Sequence, residues 1–147
     1  MIIKSLEQLN SFSKKVADQL KVKDCIYLIG EIGVGKTTFT RYLINYLQKK
    51  EGSKITEVLS PTFNLLYEYD LKKFKIMHYD LYRLQNEKEI NTLGIFQENE
   101  NTIKIIEWPS LLKIPISDKL EIRIDYAKYD NERKIRLLGT GKWKNFK

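Results

Sequence analysis

Gly30-Glu31-Ile32-Gly33-Val34-Gly35-Lys36-Thr37 follows the apolar run Cys25-Ile26-Tyr27-Leu28-Ile29 and leads into a helical pattern that begins at Thr37-Thr38-Phe39. A strand that feeds a helix through a glycine-rich loop ending in Lys-Thr is the setting of the phosphate-binding P-loop motif. Glycines at 30, 33 and 35 let the backbone curl so that successive N–H groups point inward, toward a space that also faces the positive end of the following helix. The expected phosphate ligands are the backbone of Gly33, Val34, Gly35, Lys36, Thr37 and Thr38. Lys36 is expected to reach the β- and γ-phosphates, and the Thr37 hydroxyl to sit on Mg²⁺.

The rest of the chain reads as one domain of 147 residues built around this loop. An N-terminal helix starts at the capping pattern Ser5-Leu6-Glu7-Gln8, with Leu6, Leu9, Val16 and Leu20 on one face. The unbroken apolar strand 25–29 suits a central position covered on both faces. The helix after the loop places Phe39, Tyr42, Leu43, Tyr46 and Leu47 at helical spacing and closes in Lys49-Lys50-Glu51-Gly52. A short strand is predicted over 55–59. Two extended runs, 63–69 and 74–79, form a hairpin, followed by a short helix over 83–93 that closes at Gly94, a strand over 102–106 and a brief helix or turn over 110–113. Leu120, Ile122 and Ile124 alternate with Glu121, Arg123 and Asp125 and, with Ile135 and Leu137, predict a second hairpin with one buried face. Residues from about 139 to 147 have little apolar content beyond Trp143 and Phe146 and are expected to form a flexible tail. The expected fold is therefore α/β, a P-loop NTPase core whose mainly parallel sheet is flanked by helices and extended by antiparallel strands.

Composition narrows the setting. No apolar run approaches the roughly 18 residues of a membrane-spanning helix, and no signal-peptide pattern opens the chain, so a cytoplasmic protein with no membrane partner is expected. The single cysteine, Cys25, has no neighbours for a disulfide or a metal site and reads as a buried strand residue. Net charge is +7, and residues 119–147 carry nine basic against four acidic side chains. That balance suits a solvated lysine-rich surface and also attracts nucleic acid or an acidic protein face.

Nucleotide hydrolysis needs a carboxylate near Mg²⁺ and a group that places the attacking water. Two predicted strands end in acids. Ile103-Lys104-Ile105-Ile106-Glu107 has the form of a Walker B strand, made imperfect by Lys104, and Phe74-Lys75-Ile76-Met77-His78-Tyr79-Asp80 places Asp80 at the matching end. Thr62, in Ser60-Pro61-Thr62, is a third candidate, since a proline-stiffened loop can hold a hydroxyl near the γ-phosphate. His78 reads more readily as a packed strand residue than as a base, and Trp108 as a core or ligand-wall aromatic. With no Asn-Lys-x-Asp guanine-reading motif in the chain, ATP is the expected nucleotide. Three function classes are compatible with these residues: an Mg²⁺-dependent ATPase, a small-molecule phosphotransferase, and a nucleotide-gated scaffold with negligible turnover.

The blocks Gly30–Thr40, Ser60-Pro61-Thr62-Phe63, His78-Tyr79-Asp80-Leu81-Tyr82-Arg83-Leu84, Leu93-Gly94-Ile95 and Ile106-Glu107-Trp108-Pro109, in this order and spacing, resemble the bacterial TsaE (YjeE) family. The resemblance runs over about residues 5 to 137. It implies an ATPase of tRNA threonylcarbamoyladenosine biosynthesis that works with the TsaB–TsaD complex, whose TsaD component modifies adenosine 37, so that tRNA is met through that complex. A direct tRNA contact by the basic C-terminal quarter is also open. The resemblance further implies that Lys36 and Thr37 hold phosphates and Mg²⁺, that Glu107 is the Mg²⁺ carboxylate, that Asp80 and Thr62 act near the γ-phosphate, and that Trp108 belongs to the same site. Glu31-Ile32, Val34 and Phe63-Asn64-Leu65 depart from the family's frequent residues without removing a chemical group.

Overall fold

Strand β2 (Cys25–Ile29) lies at the middle of the sheet because every one of its neighbours is another strand or a covering layer. The computed structural model describes residues 1–97 and 101–147. In chain order the elements are β1 (Ile2–Ile3), α1 (Leu6–Ala17), β2, α2 (Lys36–Lys50), β3 (Leu66–Asp70), β4 (Lys75–Asp80), α3 (Glu87–Leu93), β5 (Thr102–Glu107), β6 (Lys119–Tyr126) and β7 (Arg133–Gly139). Short 3₁₀ turns cover Pro109–Leu111 and Gly141–Trp143. The seven strands run in the order β1-β7-β6-β2-β5-β4-β3. The four inner strands β6, β2, β5 and β4 are mutually parallel, while β1, β7 and β3 add antiparallel edges. Among the described residues no helix is long and apolar enough to cross a membrane.

Alternation along the strands splits the interior into two layers. Ile26 and Leu28, with Ile103, Ile105, Ile122 and Ile124, pack with Phe39, Leu43 and Ile44 of α2 and Phe12 and Val16 of α1. Cys25, Tyr27, Tyr79 and Ile106 face the other way, under Ile90 of α3 and Ile95. The Ser5 hydroxyl caps α1 by accepting from the Gln8 amide, while the Gln8 side chain accepts from Lys4, one residue short of the full capping box. Leu6 is 65% exposed, so the apolar stripe of α1 begins only at Leu9.

Four expectations need correction. Residues 55–59 do not form a strand. Both edges of β2 are already taken, by β5 and β6, and the Thr56 amide donates to the Gln48 side chain instead of to a ladder. Only Val58 of that run is buried. The first hairpin starts at Leu66 rather than 63, because the chain turns through Leu65 (φ 66°), whose amide donates to the Pro61 carbonyl. α3 likewise begins at Glu87, where Asn86 and Glu89 form a reciprocal cap. The segment from about 139, expected as a flexible tail, packs on the core: Trp143 is 1% exposed within the larger core, with Phe146 edge-on to it at 5.1 Å. The Lys142 amide donates to Asp118, and its ammonium pairs with buried Asp24. Low apolar content concealed one large anchor.

Candidate nucleotide site at the strand ends

Residues 30–37 leave β2 and enter α2 through a tight curl. At Gly30 a Cβ would stand 2.3 Å from the backbone oxygen of Ile124, a clash no side chain can relieve. Gly35 (φ 119°) caps α2 with no side-chain hydrogen bond, so the first-turn amides keep their donor capacity at the positive end of a 15-residue helix.

Strand register brings the two acids to this loop. Leu28 of β2 lies opposite Glu107 of β5, and Glu107 lies opposite Asp80 of β4. Since all three strands are parallel, both carboxylates emerge at the same end as the loop, where ligands of open α/β sheets collect. A cavity of about 360 Å³ opens between them. Of the residues expected at the site, Gly33, Gly35, Lys36, Thr37, Thr38, Thr62, Asp80, Glu107 and Trp108 line it. Val34 does not: it is 2% exposed in the core, and its carbonyl accepts from Arg133 at 2.9 Å. A larger groove of about 910 Å³ follows β3, β4 and residues 92–97, but its lining includes neither the glycine-rich loop nor either acid.

The polar groups divide into engaged and available. Lys36 Nζ donates to the carbonyls of Gly30 (2.7 Å) and Glu31 (2.9 Å) and lies 4.8 Å from the centre of the Trp108 ring. Burial pushes the Lys36 ammonium below the ordinary lysine range, against the opposing pull of Glu107 and Asp80. Asp80 Oδ2 accepts from Thr62 at 2.9 Å and more weakly from Ser60 at 3.4 Å, and its Oδ1 accepts from the Tyr82 amide at 2.9 Å. Glu107 is 1% exposed and its Oε1 has no hydrogen-bond partner among the described residues. Its other oxygen lies 3.6 Å from Nε2 of fully buried His78, within electrostatic reach but not hydrogen-bonded. His78 is thus a packed strand residue set behind Glu107.

Ser60 and Tyr82 line the cavity although neither was singled out from the sequence. Ser60 also shares a 2.8 Å hydrogen bond with Thr62. Tyr82 packs at 4.8 Å on Trp108, which holds a left-handed backbone (φ 57°) just past Glu107. For Tyr82 the available signal is position, two residues beyond the end of β4, which marks a site residue only once the strand order is known. Among the described residues no group of three or more His, Cys, Asp or Glu side chains forms a metal cluster. The arrangement suits a hard cation held partly by its phosphate ligand and by one or two protein oxygens.

The family model for threonylcarbamoyl adenosine biosynthesis protein TsaE matches residues 3–135. The tRNA threonylcarbamoyladenosine biosynthesis protein TsaE of Rickettsia conorii is 34% identical over 97% of this chain and 79% of that protein. The protein of the same name from Bacillus subtilis is 31% identical over 92% of this chain and 82% of its own length. A crystal structure of Bacillus subtilis YdiB superposes with a TM-score of 0.71 at 26% identity, over 96% of this chain and 84% of that one. With its strand order, its loop and two acids at one cavity, and a family match over nearly its whole length, this chain belongs to the TsaE family of tRNA threonylcarbamoyladenosine biosynthesis.

Proposed function

We propose that this protein is a Mg²⁺-dependent ATPase subunit that supports turnover of the TsaB–TsaD complex in cytoplasmic tRNA modification, meeting tRNA through that complex. The observation that carries the reading is the convergence of a helix N-terminus, Lys36, Asp80 and Glu107 on one cavity of nucleotide-phosphate size. Loop amides and Lys36 would bind the β- and γ-phosphates. The unpartnered, buried Oε1 of Glu107 favours this carboxylate over Asp80 as the protein's acidic Mg²⁺ ligand, with Thr37 supplying a hydroxyl. Bound there, the ion would neutralise charge building on the transferred phosphoryl group. Asp80, already holding the Thr62 hydroxyl, would orient the attacking water with it. Trp108 walls the cavity beside Lys36 and restricts water.

Phosphate release from the full chain, alone and with TsaB–TsaD, tests this against Lys36→Ala. Turnover in the wild type that vanishes in the variant is the expected result. A wild type that never exceeds the Lys36→Ala background, with partners present, removes the ATPase reading. That outcome would favour a nucleotide-gated scaffold, which has support of its own in Phe63, 81% exposed beside Thr62.

A further inference from the structure

Thr62 sits on a segment with no regular backbone pairing, from residue 53 to residue 65. Its hydroxyl nevertheless meets Asp80 at 2.9 Å, so something other than a sheet ladder must set it. The short stretch 80–83 grips that segment from both sides. Asp80 accepts the hydroxyls of Thr62 and Ser60, and three residues later Arg83 takes the carbonyls. Arg83 Nε donates to the Thr62 carbonyl at 2.9 Å, and a terminal guanidinium nitrogen donates to the Phe63 carbonyl at 2.5 Å. The same guanidinium lies 5.6 Å from the centre of the Phe63 ring.

We propose that Arg83 is a positioning residue that sets the Thr62 hydroxyl on Asp80 by clamping two successive carbonyls of the Thr62 loop. Its catalytic consequence rests on the ATPase reading given above; the clamp itself does not. A planar guanidinium has the fork to bridge adjacent carbonyls and a face to stack on Phe63, whereas a lysine ammonium is a point donor that satisfies one of the three contacts. With the Thr62 carbonyl and hydroxyl both held, rotation of its peptide is blocked and the oxygen is fixed relative to the carboxylate. Arg83 is exposed, so its removal leaves no cavity in either core layer.

Two measurements on the full chain test this. In the first, chymotrypsin cleavage after Phe63 is timed in wild type, Arg83→Ala and Arg83→Lys at a temperature where circular dichroism shows all three folded. Faster cleavage in Arg83→Ala, with Arg83→Lys between the two, is expected; equal rates overturn the clamp, whether or not the protein hydrolyses ATP. In the second, kcat and KM for ATP are compared with TsaB–TsaD present. Arg83→Ala is expected to lower kcat on the order of tenfold to a hundredfold, the scale of a mispositioned group, with KM nearly unchanged. In a Thr62→Ala background the same substitution should cost nothing further. An undiminished kcat in Arg83→Ala, or a full additional loss in that background, overturns positioning through Thr62. A wild type without turnover would strike the ATPase reading alone, since the cleavage rates still decide the clamp.

Discussion

Lys36 carries a folding cost. The residue is 6% exposed, and its ammonium contacts two carbonyls and is held below its ordinary pKa chiefly by burial. A lysine whose folded pKa lies under its unfolded value opposes folding at pH values below both, and the penalty fades as pH rises from the folded toward the unfolded value. Stability should therefore rise across that alkaline interval, while phosphate affinity falls across it as the charged form is lost. Lys36→Met removes the buried charge and keeps most of the volume. That relief is set against the carbonyls of Gly30 and Glu31, which lose their donor, and against Glu107 and Asp80, which lose the cation they attract. We expect a melting temperature close to that of the wild type, and no further rise on adding Mg-ATP, where the wild type should keep gaining as the nucleotide concentration rises above Kd. Thermal melts of both proteins with and without nucleotide check the two halves of this statement. A Lys36→Met protein that melts well below wild type would make Lys36 a structural residue.

At the scale of elements, β2 joins the loop to the core, and its burial has a chemical signature. Cys25, 2% exposed at the start of this strand, has its thiol pushed up to about 12 by burial. At pH 8 almost no thiolate exists in the native chain. Alkylation should be far slower than for a free thiol, should accelerate only on opening of β2, and should slow again when Mg-ATP stabilises the fold. Mass spectrometry of timed iodoacetamide quenches reads this directly. Much of this element pattern was legible beforehand, because its causes are local: an apolar run before a glycine-rich loop, helical spacing after it, and clean alternation from Leu120 to Asp125. The acids at the ends of β4 and β5 were legible as strand-end residues. Their adjacency was not, since it depends on β4 pairing with β5 and β5 with β2, a matter of strand order. Residues 55–59 misled for the same reason: their pattern suits a strand, but both sides of β2 are taken by β5 and β6. Ser60 and Arg83 act through contacts about 20 residues apart in the chain, and Tyr82 through its packing on Trp108, and no local period reports such contacts.

The whole molecule has two ends that do different work. The carboxyl ends of β2, β4 and β5 meet the cavity, while the C-terminal segment packs at the starts of β2 and β6. The Thr140 amide donates to the Lys119 carbonyl at 2.8 Å, Lys142 pairs with Asp24, and Trp143 fills the core beside them. Truncating a buried tryptophan to alanine costs about 3–5 kcal/mol. The Trp143 indole N–H lacks a partner among the described residues, which offsets part of its favourable packing and places the expected loss at the lower end of that range. For a chain of this length each kcal/mol lowers the melting temperature by about 2–4 °C, so Trp143→Ala should melt roughly 6–12 °C below wild type. Because the anchor and the cavity lie at opposite ends of the strands and no hydrogen bond or ion pair joins them among the described residues, their effects should add. Well below its melting temperature, Trp143→Ala should bind Mg-ATP with wild-type affinity, measured by calorimetry. The double variant Trp143→Ala/Lys36→Met should melt lower than Lys36→Met by the same interval as the single variant does from wild type. An altered nucleotide affinity in folded Trp143→Ala would mean that the central strands transmit packing changes from one end to the other, and that the anchor helps to shape the site.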